Sequence, residues 1–93
     1  MENYIQNIYF INKEECNKSF TEEKAIEIIL YKLLLNGQKN RITIDKENRI
    51  IKVDLDKKYI CQVKYEEIKD DKNIIKEYRK DKIKLIKAEL IKR

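Results

Sequence analysis

The apolar positions of the chain include three segments in which apolar and polar residues alternate. These segments are residues 42–44, 51–55 and 59–65, and alternation of this kind is typical of strands with one buried face. The connections at residues 46–48 and 56–57 are short enough for hairpins and contain Asn or Asp, which tolerate turn conformations. We therefore predict a three-stranded antiparallel meander.

A helix is predicted from residue 21 to residue 35, with a signal at each end. Thr21 is a good N-cap residue, and Glu22 and Glu23 place negative charge in the first turn, where the helix dipole favours it. Asn36-Gly37 supplies a left-handed stop after the last turn. Both boundaries of this helix are thus indicated by local chemistry.

Two further elements complete the predicted fold. Residues 4–11 are rich in aromatic and β-branched side chains and predict an N-terminal strand. Asp70 or Asp71 can cap a last helix that runs to about Ile91. The expected fold class is α+β, a small antiparallel sheet (the meander plus the N-terminal strand) packed with two helices. The element order is β-α-β-β-β-α, and a chain of 93 residues is expected to form a single domain over 1–93.

The first helix carries more apolar surface than one sheet can cover. On a helical wheel, Ile28, Tyr31 and Leu35 lie on the side opposite the stripe that faces the core. This second face is covered by the last helix, by a second copy of the chain in a homodimer, or by a partner protein. Ile28, Tyr31 and Leu35 are therefore candidate partner-binding residues.

Positive charge is concentrated near the C-terminus. Lys and Arg number 22 against 17 Asp and Glu, and the whole surplus lies in residues 68–93. Along the predicted last helix, cations repeat on one flank and are candidate residues for binding phosphate or a partner. They are Lys69, Lys76, Lys80, Lys84 and Lys87, with Arg79 inside the apolar arc of the same helix. The alternative is a solvated charged face with no binding role.

Few side chains suited to catalysis or to metal binding are present. The chain has no His and a single Gly, so an imidazole base, a P-loop and a dinucleotide fingerprint are all excluded. Cys16 and Cys61 cannot complete a zinc site without histidine. A single disulfide is the alternative to two buried, free cysteines, and we expect the latter. We therefore expect no cofactor, no metal and no enzymatic activity.

One short segment resembles part of a nuclease signature. Glu67-Ile68-Lys69, after a helix and three strands, is similar to the second half of the PD-(D/E)xK motif. The resemblance implies a metal-dependent nuclease with an Asp on the adjacent strand. Asp54 lies on the order of 25–30 Å away along the meander, too far to share a metal, whereas Asp45 ends nearer to Glu67. A three-residue match in a chain rich in Glu and Lys leaves this the least favoured hypothesis.

Composition also indicates a source and a compartment. The start of the chain lacks the basic and apolar segments of a signal peptide, and no apolar run approaches the ~20 residues needed to cross a bilayer. We expect a cytoplasmic location without membrane association. Ile, Lys and Asn supply 43 of the 93 residues, a bias toward AT-rich codons that indicates a low-GC bacterium or its phages and mobile elements.

These observations favour binding over catalysis. We expect a small non-catalytic interaction protein, an inhibitor of the anti-defence or anti-CRISPR type that binds a larger protein or nucleoprotein complex. The alternative is a nucleic-acid-binding protein that uses the lysines repeated along one flank of the predicted C-terminal helix, which we call the lysine ridge.

Overall fold

The computed structural model describes residues 4–68 and 82–93 of the chain. These residues form two α-helices and five strands: α1 Tyr4–Phe10, β1 Ser19–Thr21, α2 Glu22–Lys32, β2 Ile42–Asp45, β3 Ile50–Asp54, β4 Tyr59–Ile68 and β5 Lys82–Lys92. A π-helical turn, Ile11–Glu15, extends α1, and a 3-10 turn, Lys39–Arg41, precedes β2. None of the helices within the described ranges is long and apolar enough to cross a lipid bilayer.

The strands form one antiparallel sheet in the order β1-β5-β4-β3-β2. The α+β class is confirmed, and so is the meander, which corresponds to β2, β3 and β4. Its registers align apolar positions across the strands, since Ile44 lies opposite Ile51 and Ile51 lies opposite Val63. The buried sheet residues share one face of the sheet, against which buried residues of α1 and α2 pack. The opposite face, over the described strands, carries mainly charged and half-exposed side chains.

The N-terminal segment is a helix, so the predicted strand at residues 4–11 is wrong. The residues that pack against the core are Tyr4, Ile8 and Ile11, which recur at the spacing of one helical face. Ile5 and Tyr9 take the outer side. The β-branched and aromatic content that indicates a strand is overridden because burial at positions 4, 8 and 11 requires the helical period.

The C-terminal segment contains a strand, so the predicted helix is wrong for residues 82–92. The rest of that predicted helix, with its caps Asp70 and Asp71, lies outside the described residues. β5 pairs with β1 on one side and with β4 on the other. A β-bulge leaves Ile86 without an opposite residue, because Lys64 pairs with Lys87 and Tyr65 pairs with Leu85. The bulge shifts the alternation, so that buried residues 85 and 88 are three apart and imitate the period of a helix.

The helix α2 begins as predicted and ends three residues early. The Thr21 side chain accepts a hydrogen bond from the Lys24 N–H (3.3 Å), which confirms the N-cap. At the other end, Leu34 adopts a left-handed conformation (φ 61°), and the Leu35 N–H donates to the Leu30 carbonyl (2.8 Å). This hydrogen bond and the left-handed Leu34 form a Schellman motif, with leucine in the position usually taken by glycine. The chain therefore turns before Asn36-Gly37 is reached.

Asn12 ties the helical layer to the sheet. Its side-chain amide donates to the carbonyl oxygens of Ile8 (3.2 Å) and Ala88 (2.9 Å), while its Oδ1 accepts from the Ala88 N–H (2.8 Å). Asn12 thus pairs with both backbone groups of Ala88, as a neighbouring strand would, beyond the point where β1 ends. The sheet edge at Ala88 is closed by this side chain.

Candidate protein-interaction surface

The outer side of α2 and the turn that follows it expose large apolar side chains. Tyr31 is 62% exposed and Leu34 is 79% exposed, while Ile28 is half-buried beside them. An open groove of about 580 Å³, the α2 groove, lies along this side of the helix. Its lining consists of Glu15, Lys24, Glu27, Ile28, Leu30, Tyr31, Lys32, Asn36, Gly37 and Lys39.

The geometry of α2 explains why these residues stay outside the core. Buried residues Ala25, Ile29, Leu30 and Leu33 form the inner stripe, and Ile28 and Tyr31 fall on the other side, as predicted. The predicted last helix does not cover them with residues 82–92, because that segment is a strand of the sheet. The second apolar face is therefore open over the part of the chain that the structure describes.

Leu35 occupies a different place from the one predicted. The Schellman turn directs Leu35 back onto the core, where it packs as a partly buried residue. The same turn points Leu34 outward. The expectation that Leu35 shares a face with Ile28 and Tyr31 is corrected, since the helix ends before Leu35. The exposed residue at this end is Leu34, which sequence reasoning missed because it extended the helix to residue 35.

Charges around the α2 groove are largely neutralised by ion pairs. The Lys32 ammonium donates to the Glu14 carboxylate, and this bond lowers the pKa of Glu14 and raises the pKa of Lys32. Lys24 lies 3.8 Å from Glu27. The groove therefore combines an apolar floor with a rim of nearly balanced charge, which suits an apolar side chain of a protein partner more than a polyanion.

A second exposed apolar pair lies on α1. Ile5 is 76% exposed and Tyr9 is 57% exposed, and their i,i+4 spacing places them on one side of the helix. The Lys13 ammonium lies 6.0 Å from the centroid of the Tyr9 ring, within reach of a weak cation–π contact. Sequence reasoning missed both residues because it assigned this segment to a strand, in which Ile5 and Tyr9 share a face with the buried residue Ile11.

Two members of the predicted lysine ridge lie on a strand and not on a helix. Lys84 and Lys87 lie on β5, on the face opposite the helices, so their placement on a helix is corrected. Lys69, Lys76, Arg79 and Lys80 lie outside the described residues. On the sheet, Lys87 is directly opposite Lys64, and Lys84 is opposite Glu66. With Lys52 of β3 on the same face, these side chains form what we call the lysine face: Lys52, Lys64, Lys84 and Lys87.

The lysine face is only partly neutralised. Lys87 lies 3.2 Å from a carboxylate oxygen of Glu89. Lys64 and Lys87 are cross-strand partners, whose Cβ atoms are typically about 5 Å apart, and like charges in this position repel one another. Phosphate oxygens placed between these ammonium groups would relieve that repulsion.

Cys16 and Cys61 are both buried and free, as predicted. Burial raises the pKa of the Cys16 thiol and raises the pKa of Cys61 to about 12, so both stay protonated at neutral pH. Among residues 4–68 and 82–93, no group of three Cys, Asp or Glu side chains lies close enough to hold a metal ion. Asp45 instead accepts hydrogen bonds from the backbone and side chain of Asn48.

Comparison with protein families, with characterised proteins and with solved structures found no match to this chain. Function is therefore inferred from the surfaces described above.

Proposed function

We propose that the protein is a non-catalytic interaction protein that binds a partner protein through the α2 groove. The observation that carries this proposal is the exposure of Tyr31 and Leu34 beside an apolar groove. Exposed tyrosine next to a concave apolar surface is characteristic of interface hot spots, because the ring buries a large area at a low cost in conformational entropy. Ion pairs at the rim add orientation rather than net charge.

The finer form of the proposal is an inhibitor that occupies a surface of a larger protein or nucleoprotein complex. A small chain can block such a surface without catalysis, and 93 residues with a bias toward AT-rich codons are consistent with a phage or mobile-element protein of this kind. The α2 groove would supply the contact, and the lysine face would supply a second contact where the target carries nucleic acid.

The binding surface can be tested by site-specific cross-linking and reconstitution. A photoreactive phenylalanine analogue at position 31 is expected to cross-link the partner in the native host, and the same analogue at Tyr9 serves as the matched control. The partner is then purified, and its affinity for the chain is measured by calorimetry. Tyr31→Ala is expected to cost about 2 kcal/mol, roughly 30-fold in affinity, if Tyr31 is a hot spot.

Controls separate a binding defect from a folding defect. Tyr31 is exposed, so Tyr31→Ala is expected to leave the melting temperature nearly unchanged. Tyr9→Ala, which removes an exposed tyrosine outside the α2 groove, is expected to leave affinity unchanged. Equal losses of affinity for the two variants, or no loss for Tyr31→Ala, would show that the α2 groove is not the binding surface.

The lysine face supports nucleic-acid binding as a second candidate function. Lys64 and Lys87 are directly opposite each other on adjacent strands, where like charges repel one another, and only Lys87 has a nearby carboxylate, that of Glu89, among the described residues. If the face binds duplex DNA, the logarithm of affinity falls with the logarithm of salt concentration with a slope of about −0.9 per phosphate contact. Joint replacement Lys64→Glu and Lys87→Glu then reduces that slope by about two, as measured by fluorescence anisotropy with a labelled duplex. An unchanged slope would assign the DNA binding to other residues.

A further inference from the structure

Among the described residues, no strand pairs with the outer edge of β2. It pairs with β3 on one side and is the last strand in the sheet order. Edge strands are normally protected by short length, by proline, by a bulge or by charged side chains. Strand β2 is short, with four residues, but the segment Ile42-Thr43-Ile44 has no proline, bulge or charge, and all three residues are β-branched and favour strand conformation. Within residues 4–68 and 82–93, the backbone groups on the outer side of β2 therefore have no strand partner and can accept a further strand.

An apolar groove runs beside this edge, between β2 and α2. Its volume is about 370 Å³, and Glu23, Ile26, Lys39, Ile42 and Ile44 line it. The three isoleucines are only partly buried and pack against the core. A strand added to β2 would complete the burial of these side chains. We call this site the β2 groove; Lys39 is shared with the α2 groove, whereas Glu23 is not.

The two ends of the β2 groove carry opposite charges. Lys39 lies in the 3-10 turn directly before Ile42, so it marks the start of β2. Glu23 lies in the first turn of α2. The last turn of α2 leads to the start of β2, so the first turn of the helix lies toward the other end of the strand. Burial raises the pKa of the Tyr65 hydroxyl, the carboxylates of Glu22, Glu67 and Asp45 raise it further, and Arg49 lowers it. Glu22 of α2 and Asp45 of β2 thus both lie near Tyr65, which agrees with the first turn of α2 lying near the end of β2.

We propose that the β2 edge binds a second copy of this chain, with the two β2 strands antiparallel about a two-fold axis at Thr43. In this register, Ile42 lies opposite Ile44 of the second copy, so apolar side chains meet on the core side. Because the strands run in opposite directions, Lys39 lies beside Glu23 of the second copy, and the same contact occurs twice. An isologous interface joins the same patch of both copies, and opposite charges at the two ends of the β2 groove make this patch self-complementary.

The register predicts a specific disulfide. In antiparallel pairing, directly opposite Cα atoms are about 4.5–5.5 Å apart, which lies within the range of about 4.4–6.8 Å that disulfides span. Thr43 is exposed and would face its own copy on the axis. Thr43→Cys is therefore expected to form a disulfide-linked dimer rapidly under mild oxidation, and Cys16 and Cys61 do not compete because both are buried.

A matched control lies one strand inside the sheet. Lys52 is the register partner of Thr43 on β3 and points to the same face, but strands flank it on both sides. Lys52→Cys is expected to cross-link at least about tenfold more slowly than Thr43→Cys, because its sulfur is held away from the axis by one strand spacing of about 4.8 Å on each copy. Sedimentation of the unmodified chain is expected to show a monomer–dimer equilibrium that shifts with concentration. The proposal is overturned if the unmodified chain stays monomeric at the highest attainable concentration, or if the two variants cross-link at equal rates.

Charge exchange tests the register independently of cysteine. Glu23→Lys is expected to weaken the dimer by about tenfold, because it replaces two attractive contacts with two repulsive ones. Adding Lys39→Glu to the same chain is expected to restore the original dimer affinity. The single variant leaves the α2 groove intact, so binding of the protein partner distinguishes this proposal from the proposed function. If the double variant is no tighter than Glu23→Lys, or if Thr43→Cys links only to a different protein, the second copy is not the occupant.

Discussion

Asn12 is expected to be the polar side chain on which the attachment of the helices to the sheet depends most strongly. Asn12→Ala removes three hydrogen bonds to the backbone, two of them with Ala88, together with a weak one that the Cys16 thiol donates to Oδ1 (3.5 Å). Ala88 is 2% exposed, so water reaches its unpaired N–H and C=O only after local rearrangement. A net loss of about 1 kcal/mol per hydrogen bond, with some added cost for the unpaired buried groups, gives a decrease of about 2–4 kcal/mol in the free energy of unfolding.

This decrease is large for a chain of 93 residues, since domains are stabilised by only about 5–15 kcal/mol in total. It corresponds to a fall in melting temperature of roughly 10–25 °C. The assay is urea unfolding followed by far-ultraviolet circular dichroism, with the slope of the free energy against urea checked for constancy.

Asn7→Ala provides the matched control in the same helix. The Asn7 side chain is half-exposed, and no hydrogen bond from it is present within the described residues. Alanine is the better helix former, so Asn7→Ala is expected to be neutral or slightly stabilising. A decrease for Asn12→Ala of less than about 0.5 kcal/mol, within the range of ordinary surface substitutions, would refute the view that Asn12 acts as a surrogate strand for β5.

Three further predictions concern the backbone conformation of Leu34, the ion pair of Glu14 and the burial of Cys61. Leu34→Gly should raise the free energy of unfolding by about 1 kcal/mol in urea titrations, because leucine is strained in the left-handed conformation and glycine is not; an unchanged or lower value would contradict that strain. The contact with Lys32 lowers the pKa of Glu14, so its stabilising effect is present above the ordinary carboxyl pKa of 4.5 and is lost as the pH falls through the lowered value. The melting temperatures of the unmodified chain and Glu14→Gln should therefore differ at neutral pH and converge in acid, and a difference that persists in acid would assign the effect to another contact. Cys61, with a pKa of about 12 and no exposed surface, should react with iodoacetamide only as the chain unfolds, so rapid labelling followed by intact mass in native buffer would contradict its buried position.

Part of the candidate binding surface was predictable from sequence because it depends on one helix. The spacing of Ile28 and Tyr31 relative to the core stripe is a property of the helical period, and α2 has a strong N-cap. Leu34 was not predictable in the same way. Its exposure depends on a Schellman turn that begins before the Asn-Gly signal, and burial of Leu35 against the core favours that turn.

The sequence by itself determined the elements whose signals are local. The meander follows from strict alternation with short polar turns, and α2 begins at a side chain that caps its own helix. These features need no information about distant residues, since hydrogen bonds to neighbours and a simple two-residue period specify them.

Only the tertiary structure decided the two ends of the chain. Residues 4–10 favour strand by composition but become α1, because Ile8 and Ile11 are buried on one helical face. Residues 82–92 show helix-like spacing but form β5, because in this conformation their backbone pairs with β1 on one side and with β4 on the other, with a bulge at Ile86. In both segments the local preference is worth less than the burial and backbone pairing available in the assembled fold. Lys84 and Lys87 of β5 consequently lie on the same sheet face as Lys52 and Lys64, an arrangement that no helical wheel shows.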